Sequence, residues 1–117
     1  MSTTEGTGDC EGRIVVITAP NDVDVHNSGH LQNMLNASLD GRPAGVVIDL
    51  TGTFYLDSSA LGVVIDFHKR LQDACIGLAL VLQPQSNIMQ LVKRTSLDKV
   101  FNIEDSVEQA IGVLCPT

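Results

Sequence analysis

The residues best placed to do chemistry are three in a row, Asp57-Ser58-Ser59, which stand between a β-branched run and an amphipathic one. All three are good helix N-caps, because their side-chain oxygens accept from amides that the first helical turn leaves unpaired. A helix start also carries the positive pole of the backbone dipole, so a hydroxyl there can take a phosphoryl group with little electrostatic strain. A phosphoserine adds roughly -1.5 to -2 charges and three acceptor oxygens. The fold should survive that change, whereas a partner docked over the helix end need not. Plain capping is the simpler use of the cluster, and the two uses are compatible.

Other chemistries find less support. His26 and His30 are spaced i, i+4, as two metal ligands on one helix could be, but no acid lies between them and no third ligand is apparent. They are expected to be a solvated pair and no metal site. His68 falls in line with Leu61, Val64 and Ile65 and reads as a core histidine whose ring needs a buried hydrogen-bond partner. There is no G-x-S-x-G elbow and no glycine-rich phosphate loop, and Asp57 is too close in sequence to Ser58 to orient a distant imidazole. No catalytic residue and no cofactor is therefore expected. Cys10, Cys75 and Cys115 lack C-x-x-C spacing. They read as three reduced thiols, with a redox pair of Cys75 and Cys115 as the alternative if folding brings the chain end beside the loop of Cys75.

The elements that must position Asp57-Ser58-Ser59 follow from periodicity. Arg13 to Thr18 (RIVVIT) is a strand stopped by Ala19-Pro20-Asn21-Asp22. Between Val25 and Leu39, the spacing of Leu31, Met34, Leu35 and Leu39 predicts a helix, ended by Gly41-Arg42-Pro43. Val46 to Leu50 (VVIDL) is apolar nearly throughout, as a central strand covered on both faces should be. A helix begins at Asp57-Ser58-Ser59 and carries Leu61, Val64, Ile65 and Leu71 inward. Gly77 to Leu82 is a third buried strand, Pro84 is suited to open the next helix, and Val100 to Ile103 reads as a short edge strand. Val107, Ala110, Ile111 and Leu114 predict a last helix. Such alternation implies an α/β domain with a mainly parallel or mixed sheet of about four to five strands and about four helices.

With 117 residues the chain suits one domain, read as residues 10–117 behind a flexible tail over residues 1–9. The formal net charge of -7 and the presence of only four aromatics, Phe54, Tyr55, Phe67 and Phe101, argue against direct nucleic-acid binding. No apolar run is long enough to span a bilayer, and the first nine residues lack the features of a signal peptide. A cytoplasmic monomer without membrane contact is expected.

Asp49-Leu50, followed by Asp57-Ser58-Ser59-Ala60-Leu61-Gly62, resembles the D-S-S-G-L-G signature of STAS domains in bacterial anti-sigma factor antagonists. Pro84 to Phe101 resembles the family's third helix and last strand, and Asp24 lies where an acid commonly follows the first strand, so the resemblance covers roughly residues 13–114. The resemblance implies a regulator of transcription without catalysis of its own. Its unphosphorylated form would bind an anti-sigma factor that is also a serine kinase, freeing a sigma factor. Phosphorylation of the serine after the aspartate, here Ser58, would break the complex, and a PP2C-type phosphatase would restore it. Asp24, Asp57, Ser58, Ser59 and Gly62 would form the partner-binding surface.

The chain departs from the family pattern at Ala60 and Ser96, where glycine is usual, and at Pro20-Asn21-Asp22-Val23-Asp24. Alanine suits a helix better than glycine, whereas Ser96 implies a small strain or a different turn. The main alternative is a STAS adaptor in a larger assembly, a stressosome or a lipid-transport complex, without a phosphate cycle. A receiver domain with Asp57 as acceptor fits less well, since only one helix separates the first strand from the strand leading to Asp57.

Overall fold

The computed structural model describes residues 2–3 and 14–115. The chain runs β1 (Ser2–Thr3), β2 (Ile14–Thr18), β3 (Asp22–Val23), α1 (Ser28–Ala37), β4 (Gly45–Asp49), β5 (Tyr55–Leu56) and α2 (Ser58–Asp73). It continues with β6 (Gly77–Val81), α3 (Asn87–Arg94), a 3-10 turn (Leu97–Lys99), β7 (Asn102–Glu104) and α4 (Val107–Leu114).

The main sheet has the order β1-β2-β4-β6-β7, with β1 antiparallel and the other four strands parallel to one another. β4 sits at its centre, as its unbroken apolar run requires, because a strand covered on both faces has no polar side to show. The strands are in register: Thr18 pairs with Asp49, Asp49 with Val81 and Val81 with Glu104. All four parallel strands therefore end at one edge, and the loops that follow them leave together. Short strands β3 and β5 pair with each other above that edge.

Successive residues of β4 point to opposite faces. Val46 and Ile48 join Leu31, Leu35, Val64, Phe67, Leu71, Ile88 and Val92 on the side of α1, α2 and α3. Val47 joins Ile14, Val16, Ala79, Val81, Ala110 and Ile111 under α4. Gly45 and Gly77 let α4 come close: a β-carbon on Gly77 would stand 2.8 Å from Leu114 Cδ2. Burying this apolar surface at about 25 cal/mol per Å² is the main stabilising term.

Within the stretch expected to be a tail, Ser2–Thr3 pair antiparallel with β2; residues 1 and 4–9 lie outside the described residues. Three expectations need correction. α3 is opened by Ser86, whose hydroxyl accepts from the Met89 amide at 3.0 Å, and not by Pro84. His68 has no hydrogen-bond partner for its buried Nδ1; instead its ring meets Phe101 edge-on, centroids 5.0 Å apart. Cys115 is disulfide-bonded, and Cys75 is free and exposed. Cys115 packs under α4 with Ile14 and Val16, whereas Cys75 lies in the turn after α2 on the other side of the sheet, so the two do not pair. Cys10 lies outside the described residues.

Candidate functional site

The loop from β4 to α2 is shaped before it reaches Ser58. Asp49 Oδ1 accepts from the amide of Thr51 at 3.0 Å and from its hydroxyl at 2.7 Å, which turns the chain out of β4. Buried Thr53 donates its hydroxyl to the Pro20 carbonyl at 2.7 Å, and the Phe54 amide donates to the Asn21 carbonyl at 2.8 Å. Tyr55 and Leu56 then pair with Asp22 and Val23, and the Asp57 amide donates to the Val23 carbonyl at 3.1 Å. The two short strands thus act as a clasp that holds the start of α2 against the loop after β2.

Asp57 is the cap of α2. Its extended backbone (φ -93, ψ -178) turns Oδ1 onto the Ala60 amide at 3.0 Å, and its carbonyl accepts the Leu61 amide at 3.0 Å. Ser58 is consequently the first helical residue and not the cap. Its side chain is exposed, and no hydrogen bond among the described residues engages its hydroxyl. The amides of Ser58 and Ser59 also lack an acceptor among the described residues, so two donors and the dipole converge beside that hydroxyl. Ser59 is half-buried, and Ala60, completely buried, packs the helix end onto the core.

One turn further on, Gly62 shares the face of Ser58. It is exposed, and a β-carbon there would meet nothing within 4 Å. Glycine inside a helix costs about 1 kcal/mol relative to alanine, and nothing within the chain requires it. Asp24 lies on the neighbouring loop, one residue beyond the carbonyl that Asp57 holds. Its amide donates to Asn27 Oδ1 at 2.8 Å, its Oδ1 accepts from the His26 amide at 2.8 Å, and its carbonyl accepts from Ser28 at 2.8 Å. These bonds make the tight turn that starts α1. Asp24, Asp57, Ser58, Ser59 and Gly62 are therefore all at the end of the sheet where the parallel strands finish, four on α2 or its cap and one on the adjoining turn.

His26 belongs to this turn and precedes α1, so it does not share a helix face with His30; both are exposed. No group of three His, Cys, Asp or Glu side chains among the described residues is arranged to hold a metal. Among the described residues no helix is long and apolar enough to cross a membrane. Ser96 takes the left-handed conformation (φ 61, ψ 18), so of the two expectations for this turn it is the strained serine that is seen.

Sequence reasoning did not single out Phe54 and Tyr55, which are exposed beside this site at 65% and 50%. The signal was present in their position between the Thr51-Gly52 turn and the Asp57 cap, outside any long apolar run.

The family model of the STAS domain matches residues 4–110. Solved structures share the fold. A protein from Thermotoga maritima described as a candidate anti-sigma factor antagonist superposes with a TM-score of 0.77 at 21% identity, covering 87% of each chain. An anti-sigma factor antagonist from Mycobacterium paratuberculosis gives 0.76 at 19% identity, over 87% of this chain and 86% of the other. The Bacillus cell fate determinant SpoIIAA in its phosphorylated form gives 0.63 at 19% identity, over 88% and 92%.

Proposed function

This chain belongs to the STAS domain family, and on that premise we propose that it is an anti-sigma factor antagonist switched by phosphorylation of Ser58. Unphosphorylated, it binds a serine-kinase anti-sigma factor over the start of α2 and releases a sigma factor. Phosphorylated, it does not bind, and a PP2C-type phosphatase resets it. The chain is a binding protein in this scheme, and the kinase supplies the catalysis.

The observation that carries the proposal is the division of labour at the helix start. Asp57 does the capping, which leaves the Ser58 hydroxyl exposed, unengaged and beside two unpaired amides. A phosphate on Ser58 would find those amides and the positive pole of α2, so the fold has no reason to reject it. A partner packed over Ser58 and Gly62 would instead have to bury a dianion. Leaving a charge desolvated and unpaired costs several kcal/mol, and a thousandfold loss of affinity needs only about 4 kcal/mol. The switch therefore requires no refolding.

The test is to incubate the protein with ATP and each serine-kinase anti-sigma factor of the same genome, and to locate phosphate by mass spectrometry. Stoichiometric phosphate on Ser58, lost in Ser58→Ala and kept in Ser59→Ala, is the expected result. Absence of modification by every such kinase, together with binding unaffected by Ser58→Glu, would leave a constitutive STAS adaptor as the better description.

A further inference from the structure

Five large apolar side chains are exposed among the described residues, and three of them, Val25 (64%), Phe54 (65%) and Tyr55 (50%), belong to the β3/β5 clasp and its flanks. Val100 and Val113 stand singly elsewhere, which is ordinary for a protein surface. In the clasp, Val23 and Leu56 turn inward, so the paired residues Asp22 and Tyr55 face out together.

Phe54 is held out to solvent by a loop that is pinned on both sides. Its own amide bonds to Asn21, and the buried Thr53 before it bonds to Pro20. A rigid, exposed aromatic contributes nothing to the core of its own chain but makes a good binding anchor, because little entropy is lost when it is covered. The loops that carry and flank Phe54 are acidic, and the bases of α3, which also touches β5, are confined to its last turn, Lys93 and Arg94. Between residues 14 and 68 the only Lys or Arg is Arg42, which lies in the α1–β4 connection at the opposite end of the sheet, whereas Asp22, Asp24 and Asp57 border the aromatics. A second copy of the chain would bring these three acids against their own images in a two-fold contact, so like charges oppose self-association here.

We propose that Phe54 and Tyr55 are the anchor by which the chain docks on the anti-sigma factor kinase, in an apolar pocket of the kinase rimmed by Lys or Arg side chains that pair with Asp22 and Asp24. This inference rests on the antagonist reading above and adds the chemistry of the partner's surface. The anchor and the switch are then separate parts of one contact: Phe54 and Tyr55 supply affinity, Asp22 and Asp24 supply steering, and Ser58 and Gly62 sit where the two surfaces close tightly.

The test is calorimetric titration of the purified serine-kinase anti-sigma factors with the parent chain, Phe54→Ala, Asp22→Asn and Ser58→Glu, at low and high salt. Phe54→Ala is expected to weaken binding by about tenfold or more, with its thermal unfolding unchanged because the ring is exposed. Asp22→Asn is expected to weaken binding by roughly threefold at low salt and to flatten the salt dependence. Affinity of Phe54→Ala within about twofold of the parent, with Ser58→Glu still inactive, would overturn the anchor and leave the antagonist reading intact. If no kinase binds the parent chain, the antagonist reading fails and the anchor with it. Concentration-dependent dimerisation of the parent that Phe54→Ala abolishes would assign the surface to a second copy and overturn the proposal.

Discussion

All four helices of this protein begin beside a serine, and the serines are not equivalent. At α1, Ser28 follows the cap residue Asn27 as the first helical residue, as Ser58 follows Asp57, but it is half-buried where Ser58 is exposed. At α3 and α4, Ser86 and Ser106 are the caps: each hydroxyl accepts from an amide three residues on, Met89 at 3.0 Å and Gln109 at 3.1 Å. At α2 the cap is Asp57, on the Ala60 amide at 3.0 Å, and the serine stands one position later with its hydroxyl unengaged. A shift of a single residue converts a hydroxyl that holds the fold into one that the fold does not need. The same region carries the exposed aromatics, which the starts of α3 and α4 lack, whereas Gly62 has a counterpart in α4, Gly112, where a β-carbon would also meet nothing within 4 Å.

The contrast can be broken most severely at Ser58. Ser58→Glu places a charge where the proposed contact would close and is expected to reduce kinase binding by about a thousandfold, equivalent to about 4 kcal/mol, with thermal stability kept or slightly raised by the helix dipole. Capping mutants come next. Asp57→Ala, Ser86→Ala and Ser106→Ala should each lower unfolding free energy by about 1 kcal/mol in denaturant titrations, but only Asp57→Ala should also impair binding. Equal loss of binding from Ser86→Ala would mean that stability, and not the site, controls the interaction. Gly62→Ala should stabilise the isolated chain by up to about 1 kcal/mol, because its β-carbon enters open space. A larger residue there should weaken binding if the partner packs against that turn. The smallest effect is expected for Ser58→Ala, less than about 0.5 kcal/mol in stability, since no hydrogen bond is lost.

Much of this architecture was legible in the sequence because its signal is repeated several times. The helices at α1, α2 and α4 and the strands at β2, β4 and β6 have enough turns or alternations for the apolar period to declare itself, and they lie within a few residues of where the pattern puts them. The clasp was not legible, since two-residue strands such as Asp22–Val23 and Tyr55–Leu56 offer no period and arise from the pinning of two loops. Pro84 and Ser86 are both suited to a helix start, and propensity alone could not choose between them. His68 finds an aromatic edge instead of a hydrogen bond because Phe101, distant in sequence, packs on it. Pairing of Cys115 likewise depends on which side of the sheet the chain end reaches.

At the site itself, the cluster Asp57-Ser58-Ser59 announced a helix start, but Asp and Ser cap almost equally well. Which residue took the role depended on the Asp57 amide being held by the Val23 carbonyl, a bond between chain segments far apart in sequence. Exposure of Phe54 and Tyr55 was marked only by their position outside any long apolar run, a weak signal because aromatics next to a buried strand resemble core residues until the clasp turns them outward.

The central claim is that one phosphate on Ser58 separates this protein from its kinase without altering its fold. The most direct test compares the affinity of the anti-sigma factor kinase for the unmodified protein and for protein phosphorylated stoichiometrically on Ser58, with thermal unfolding of both recorded in parallel. A fall in affinity of at least about a hundredfold, with unfolding no earlier than in the unmodified protein and with binding restored by a phosphatase, is the predicted result. Equal affinity of the two forms, or a loss of binding that accompanies unfolding of α2, would contradict the account.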